Sequence, residues 1–240
     1  MQAQPAQLNP NHIGVLLRGE AESIAKWTER WEAPRLALHV GVILLGAGLY
    51  GAAMGWWRDP QQALYTAIKF PLIILLTAIG NALLNGMLAP LLGLNIPFRQ
   101  SFLAIVMSFT IASAILGSFS PIAAYMVWNA PPMSPETASG PTYSFIKLMH
   151  VAVIAFAGVA GNVRLLQLLR RLGGGRAVAR RVLFAWLAGN LFLGSQLSWI
   201  LRPFIGSPGL PVEFLRHGIA LQGNFYENVF RALLQILQFD

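Results

Sequence analysis

The chain contains no cysteine, which removes both a disulfide framework and any thiolate metal site. Charge is scarce as well. Only 11% of the 240 residues are charged, against about 25% in soluble globular domains. No Asp or Glu falls inside any of the long apolar runs, which excludes a carboxylate metal cluster within them and argues against a proton-coupled carrier, since such carriers commonly use a membrane carboxylate. Four histidines, His12, His39, His150 and His217, include no pair at metal-ligand spacing. Catalytic signatures are missing too. Gly194-Ser195-Gln196 lies mid-run without the second glycine of a nucleophile elbow, and Gly173-Gly174-Gly175-Arg176 lacks the Lys-Ser/Thr of a phosphate loop. No cofactor is expected. Met1 to Asn11 is polar and rich in Pro and Gln, without a basic stretch leading into an apolar core, so the first span is expected to act as its own insertion signal.

What is present is oil and arginine. Hydrophobic residues make up 55% of the chain, gathered into uncharged runs long enough to cross a hydrocarbon core of about 30 Å. The formal net charge is +8, with the basic residues beside the apolar runs. That placement suits anionic headgroups, and no basic segment carries a nucleic-acid reading motif. The fold class is therefore all-α, a polytopic membrane helix bundle. Residues 1–35 form an N-terminal tail and amphipathic helix, 36–202 a five-span membrane domain, and 203–240 an outer loop and a C-terminal amphipathic helix.

The runs predict spans over about Leu36–Trp56, Phe70–Leu92, Ser101–Val127, Ser144–Leu166 and Val182–Leu201. Ahead of them, residues 1–11 read as disordered. Residues 12–33 read as one surface helix, with Ile13, Leu16, Leu17, Ile24, Trp27 and Trp31 at helical spacing. Residues 60–68 read as a short interfacial turn. Pro90 and Pro121 predict kinks or breaks near the ends of the second and third spans. The stretch from Pro131 to Pro141 is too rich in proline for a helix. The three glycines at 173–175 predict a flexible basic loop. Asn224, with Glu227 three residues on, signals the start of a last helix over about Phe225–Leu237, too short to span.

Two features stand out inside the spans. Gly41, Gly48 and Gly55 recur every seven residues and Gly51-x-x-x-Gly55 lies among them. The stripe predicts close packing against another helix, within the chain first and between copies second. Midway through the second run, Asn81 and Asn85 put two carboxamides on one face of a helix. Unpaired in hydrocarbon, each amide would cost several kcal/mol, so the face must look at protein or water. Gly-Asn also occurs at Gly161-Asn162, Gly189-Asn190 and Gly223-Asn224. Asn81, Asn85, His150 and Asn190 are thus the candidate polar intramembrane face, readable as a pocket lining or as a helix clasp. His150 shares a stripe with Ala157 and Gly161, and its simplest reading is a packed histidine bonded to a neighbouring carbonyl.

Orientation follows from the basic residues. Alternate segments outside the spans carry eleven Lys and Arg on the N-terminal side and six on the other. The positive-inside bias puts the N-terminus in the cytoplasm and the C-terminus outside, as in a bacterial inner membrane. Arg164, Arg170, Arg171, Arg176, Arg180 and Arg181 are the expected contacts to anionic headgroups.

At Phe70-Pro71-Leu72-Ile73-Ile74-Leu75-Leu76, followed by the Gly-Asn span and the Ser/Pro-bearing third span, the chain resembles the Yip-domain family. These are five-span proteins with a cytoplasmic N-terminus. Ala67-Ile68-Lys69-Phe70-Pro71 stands where that family has Asp-Leu-Tyr/Trp-Gly-Pro, so the resemblance implies architecture and carries over no functional residue. Small-residue stripes and amides without acids, metal ligands or nucleophiles point to a non-enzymatic scaffold or subunit. Such a protein would organise a protein partner, a second copy of itself or lipid. One alternative is a channel or facilitator lined by Asn81, Asn85 and Asn190. A further one is a membrane enzyme whose Arg202, His217 and Glu227 meet in one outer pocket.

Overall fold

The computed structural model describes residues 11–29, 31–134, 140–170, 175–202, 205–206, 210–215 and 225–237. The disorder expected at residues 1–10, and Arg171, Gly173, Gly174, His217 and Asn224, lie outside them. The described residues form eight helices and no strand: α1 (Asn11–Arg18), α2 (Ala21–Glu29), α3 (Ala33–Trp56), α4 (Pro60–Leu91), α5 (Phe98–Trp128), α6 (Pro141–Leu169), α7 (Gly175–Leu201) and α8 (Phe225–Leu237). Five of them, α3 to α7, are long and apolar enough to cross a membrane, as the runs predict. The chain is a multi-pass helical membrane protein.

Several boundaries differ from the expected ones, each for a local reason. The single surface helix is two. Gly19 takes φ +73°, Glu20 N–H donates to Val15 O and Gly19 N–H to Leu16 O, the paired bonds of a glycine-terminated helix end. The interfacial turn at 60–68 is absent. The Asp59 side chain accepts from Gln61 N–H at 2.7 Å, Pro60 occupies the first helical position, and the helix runs unbroken through Pro71. Lys69 therefore lies inside a helix rather than before one. The basic segment after residue 174 is helical too, so Arg176, Arg180 and Arg181 project from the first turns of α7 instead of a flexible loop.

The expected break at Pro121 is also absent, and α5 is continuous to Trp128. A proline there deprives Gly117 O of its usual donor four residues on. Ser120 Oγ donates to that same carbonyl at 2.7 Å. Ser120→Ala should therefore destabilise the protein by about 1 kcal/mol. In a Pro121→Ala background, which restores the missing N–H, the same change should cost almost nothing. Thermal unfolding of the four proteins in one detergent measures the coupling.

α3 packs chiefly on α5 and α4, α6 on α5, and α7 on α4. Short connections and shared end contacts make the spans alternate in direction. One face of the bundle holds the start of α3, the end of α4, the end of α6 and the start of α7. The other holds the end of α3, the starts of α4 and α6, and the end of α7. On the first face α1 and α2 dock on the bundle instead of standing away from it. Leu16 and Ile24 are buried in a core with Met107, Ile111, Leu165 and Leu168. Trp27 meets the His12 ring at 4.9 Å and the Arg35 guanidinium at 5.0 Å. Burial, and then the Arg35 charge, hold His12 below the usual histidine range against the opposing pull of Glu32.

Glycine sets the closest approaches. A methyl group on Gly51 or Gly55 would lie 2.6 or 2.7 Å from a backbone oxygen of α4, and one on Gly161 would lie 2.6 Å from Ser108 O of α5. The predicted stripe thus packs within the chain, with one exception: Gly41 meets nothing within 4 Å. The tightest contact lies off the stripe, where Gly46 of α3 meets Ser113 and Gly117 of α5.

Candidate functional site

Two polar arrangements lie within the bundle. The first joins α4 to α7. Asn85 Nδ2 donates to Asn81 Oδ1 at 2.6 Å, and Asn81 Nδ2 donates to Asn190 Oδ1 at 2.5 Å and to Trp186 O at 3.3 Å. Asn81, Asn85 and Trp186 are fully buried. Gly189 makes room for the ladder, since a methyl group there would lie 2.6 Å from Asn81 Oδ1. Three of the four residues of the expected polar face thus meet. The fourth does not join them. His150 shares a 2.8 Å hydrogen bond with the Tyr50 hydroxyl through Nδ1, edge-on to the Tyr50 ring, which ties α6 to α3. Its partner is a phenol and not the neighbouring carbonyl expected. Asn162, on its own helix, donates to Gly158 O at 2.8 Å and takes no part in the ladder.

The second arrangement is a cavity of about 540 Å³ at the opposite end of the bundle from α1 and α2. α7 explains why it exists. That helix buries only Ala179, Val182 and Trp186, all in its first half. α8 lies against both α6 and α7. The Tyr226 hydroxyl donates to Leu191 O at 3.3 Å and pins α8 there. Residues 205–206 and 210–215 lie at the end of the cavity. Tyr143 Oη donates to Gly206 O at 3.0 Å, and Arg58 donates to Leu210 O.

The cavity is apolar with charge near its outer end. Lys69, Lys147, Arg202 and Glu213 all line it. Lys69 is 2% exposed, and its ammonium lies 4.8 Å from the Phe214 ring centroid and 5.8 Å from that of Tyr65. Lys147 lies 5.1 Å from the Tyr143 ring and Arg202 4.7 Å from that of Trp199. Aromatic faces thus accompany each cation in a setting where water is scarce. His150 lines the cavity as well, with Nε2 buried and without a hydrogen-bond partner. The expected spans leave Lys69 just before the second and place Lys147 in the first turn of the fourth. The signal that could have moved Lys69 inward is Asp59-Pro60, a helix start well ahead of the lysine. Nothing in the sequence pairs Tyr50 with His150.

The remaining expected residues scatter. Arg202 lines the cavity, whereas Glu227 pairs with Arg231 at 2.5 Å on the exposed side of α8. The two do not share a pocket, and His217 lies outside the described residues. Of the arginines assigned to headgroups, Arg170, Arg176, Arg180 and Arg181 are exposed together where α6 ends and α7 begins. Arg164 instead lies over Gly19 and donates to Gln167 Oε1 at 3.1 Å, so it helps seat the N-terminal helices. Among the described residues, no group of three or more His, Asp and Glu is placed to hold a metal ion.

The fold and these two arrangements define the class: a multi-pass membrane protein with five helices long and apolar enough to span, whose described residues form an amide ladder and a large amphipathic cavity. Comparison with protein-family models, curated proteins and solved structures finds no match for the chain.

Proposed function

We propose that the protein is a non-enzymatic subunit or scaffold of a bacterial inner membrane that organises lipid or a protein partner, with the exposed arginines on the cytoplasmic side. The observation that carries this reading is the use of the asparagines. Their amide groups bond one another and the Trp186 carbonyl across α4 and α7, and none of the three lines the large cavity. A facilitator built on that face would need the amides turned to water. The charge distribution supports the orientation, because the exposed Arg170, Arg176, Arg180 and Arg181 all sit on the face that carries α1 and α2. The large apolar side chains exposed along α4 and α7, Leu83, Met87, Leu91, Phe184 and Phe192 among them, give lipid or a neighbouring subunit an extensive contact surface.

The test is reconstitution. Purified in native lipid, the protein should retain lipid or a second chain at fixed stoichiometry. In liposomes it should pass potassium and glycerol no faster than empty vesicles. Substantial flux that disappears in Asn81→Ala or Asn85→Ala, with the fold retained, would overturn the reading in favour of a facilitator.

A further inference from the structure

We infer that the cavity is a binding site for one anionic phospholipid, taken from the leaflet facing the end of the bundle where α4 and α6 begin. The inference rests on the lipid-organising reading above and names its ligand. The lining has the order of such a molecule along the membrane normal. Lys147, His150, Val151, Ile154 and Ala155 follow one another at helical spacing down the cavity wall. Lys147 lies about 9 Å from the start of α6 and Ile154 about 20 Å, at 1.5 Å per residue. Arg202 stands at the end of α7, and Leu191 about 15 Å deeper on the same wall. Lys147 and Arg202 thus sit at headgroup depth, Ile154 and Leu191 at acyl-chain depth, and Lys69, about 13 Å from the start of α4, lies between them.

Charge selects the head. Among the described lining residues three cations, Lys69, Lys147 and Arg202, face one carboxylate, Glu213. A phosphodiester carrying a single negative charge complements that set, and a zwitterionic head would bring a cation toward it. A second, independent observation points to a ligand. His150 Nε2 and Trp199 Nε1 are both buried without hydrogen-bond partners, and both residues line the cavity. Buried polar groups in native proteins are nearly always satisfied. Trp199 Nε1–H is a donor, and in the tautomer whose Nδ1 accepts from the Tyr50 hydroxyl His150 Nε2–H is one too, a pair suited to phosphate or ester oxygens. The volume of about 540 Å³ fits a site that holds a headgroup and part of a chain. Access is lateral. Leu191 and Ile200 are cavity wall and exposed surface at once, which leaves the gap beside α7 open to the bilayer.

The experiment uses the full chain in phosphatidylcholine nanodiscs, with bound lipid counted by native mass spectrometry as phosphatidylglycerol is added. One phosphatidylglycerol should be retained per chain, in preference to phosphatidylcholine. Lys147→Gln should weaken retention about tenfold, the usual scale for losing one charge-assisted contact. Ala155→Trp, which fills the chain end of the cavity from a position exposed within it, should abolish retention at an unchanged melting temperature. Lys26→Gln, on the exposed side of α2, should change nothing. Equal retention of phosphatidylcholine would overturn the inference, as would undiminished binding in Ala155→Trp. So would displacement of the lipid by glycerol 1-phosphate at equal concentration, which would make the ligand a soluble phosphate. Should Lys147→Gln not fold, Ala155→Trp decides alone. A cavity without anionic lipid in a protein that passes no solute would end this inference and leave the scaffold reading standing.

Discussion

Gly46→Ala should be among the most damaging single substitutions in the protein. A methyl group at that position would lie 2.1 Å from Ser113 O and 2.7 Å from its carbonyl carbon. Neither atom can swing aside as a side-chain tip can, because both belong to the backbone of α5. Gly117 closes the contact from the other side, since a methyl group there would lie 2.9 Å from the Gly46 Cα. The α3–α5 pair is the most extensive helix contact in the fold. To admit the methyl group the two helices must separate along their length and loosen the packing of Ile43, Ala47, Ala112 and Leu116. Overpacking of this kind typically costs 1–3 kcal/mol, and a rigid backbone neighbour puts Gly46→Ala at about 3 kcal/mol. Gly41→Ala is the matched control. Nothing lies within 4 Å of its added methyl group, so its effect should stay within about 0.5 kcal/mol. Unfolding of both variants in the same detergent micelle checks the difference. Equal stabilities would mean that α3 and α5 do not meet backbone to backbone at Gly46.

That contrast also shows how far the sequence could be read. Glycine spacing announces that α3 has a close-packing face, because small residues at regular spacing have little other use in a span. It does not say which glycine meets a backbone. Gly41 continues the seven-residue pattern into open space, while Gly46, outside the pattern, makes the tightest approach to another helix's backbone. The number and order of the spans were legible, because crossing hydrocarbon demands long uncharged runs whatever the tertiary structure. Their ends were not. A polar cap such as Asp59 extends a helix well beyond its apolar run, and this carried Lys69 into the bundle. The break at Gly19 had a local signal, a glycine directly after a basic last turn, that the amphipathic pattern on either side concealed. Convergence of Asn81, Asn85 and Asn190 could be anticipated because buried amides must find partners and the spans offer few. His150 had the same need and met it with Tyr50, a residue 100 positions away whose alignment depends on how α3 and α6 cross.

Asn81→Ala should destabilise the protein by about 2–3 kcal/mol, well above the average of roughly 0.6 kcal/mol for a single interhelical hydrogen bond in a membrane. The excess comes from its position in the ladder. Asn81 accepts from Asn85 and donates to both Asn190 and the Trp186 carbonyl, so truncating it leaves three groups on two helices without it. The site is fully buried, and Asn85 Oδ1 already lacks a partner, so Asn85 has no second bond to fall back on. Removing a terminal member should be milder. Asn85→Leu deletes that orphaned oxygen together with the lost donor, and should cost less than about 1 kcal/mol. A double-mutant cycle between Asn81→Ala and Asn190→Ala should return a coupling of about 1 kcal/mol, because each variant already breaks the bond the other would break. The order of the three effects separates a clasp from a conduit. In a clasp, stability falls with the number of bonds each residue makes, and α7 loosens from α4. In a conduit the same amides would be bonded to water, Asn81→Ala would change permeation at nearly constant stability, and Asn85→Leu, which places an apolar side chain on the path, would have the larger effect on flux.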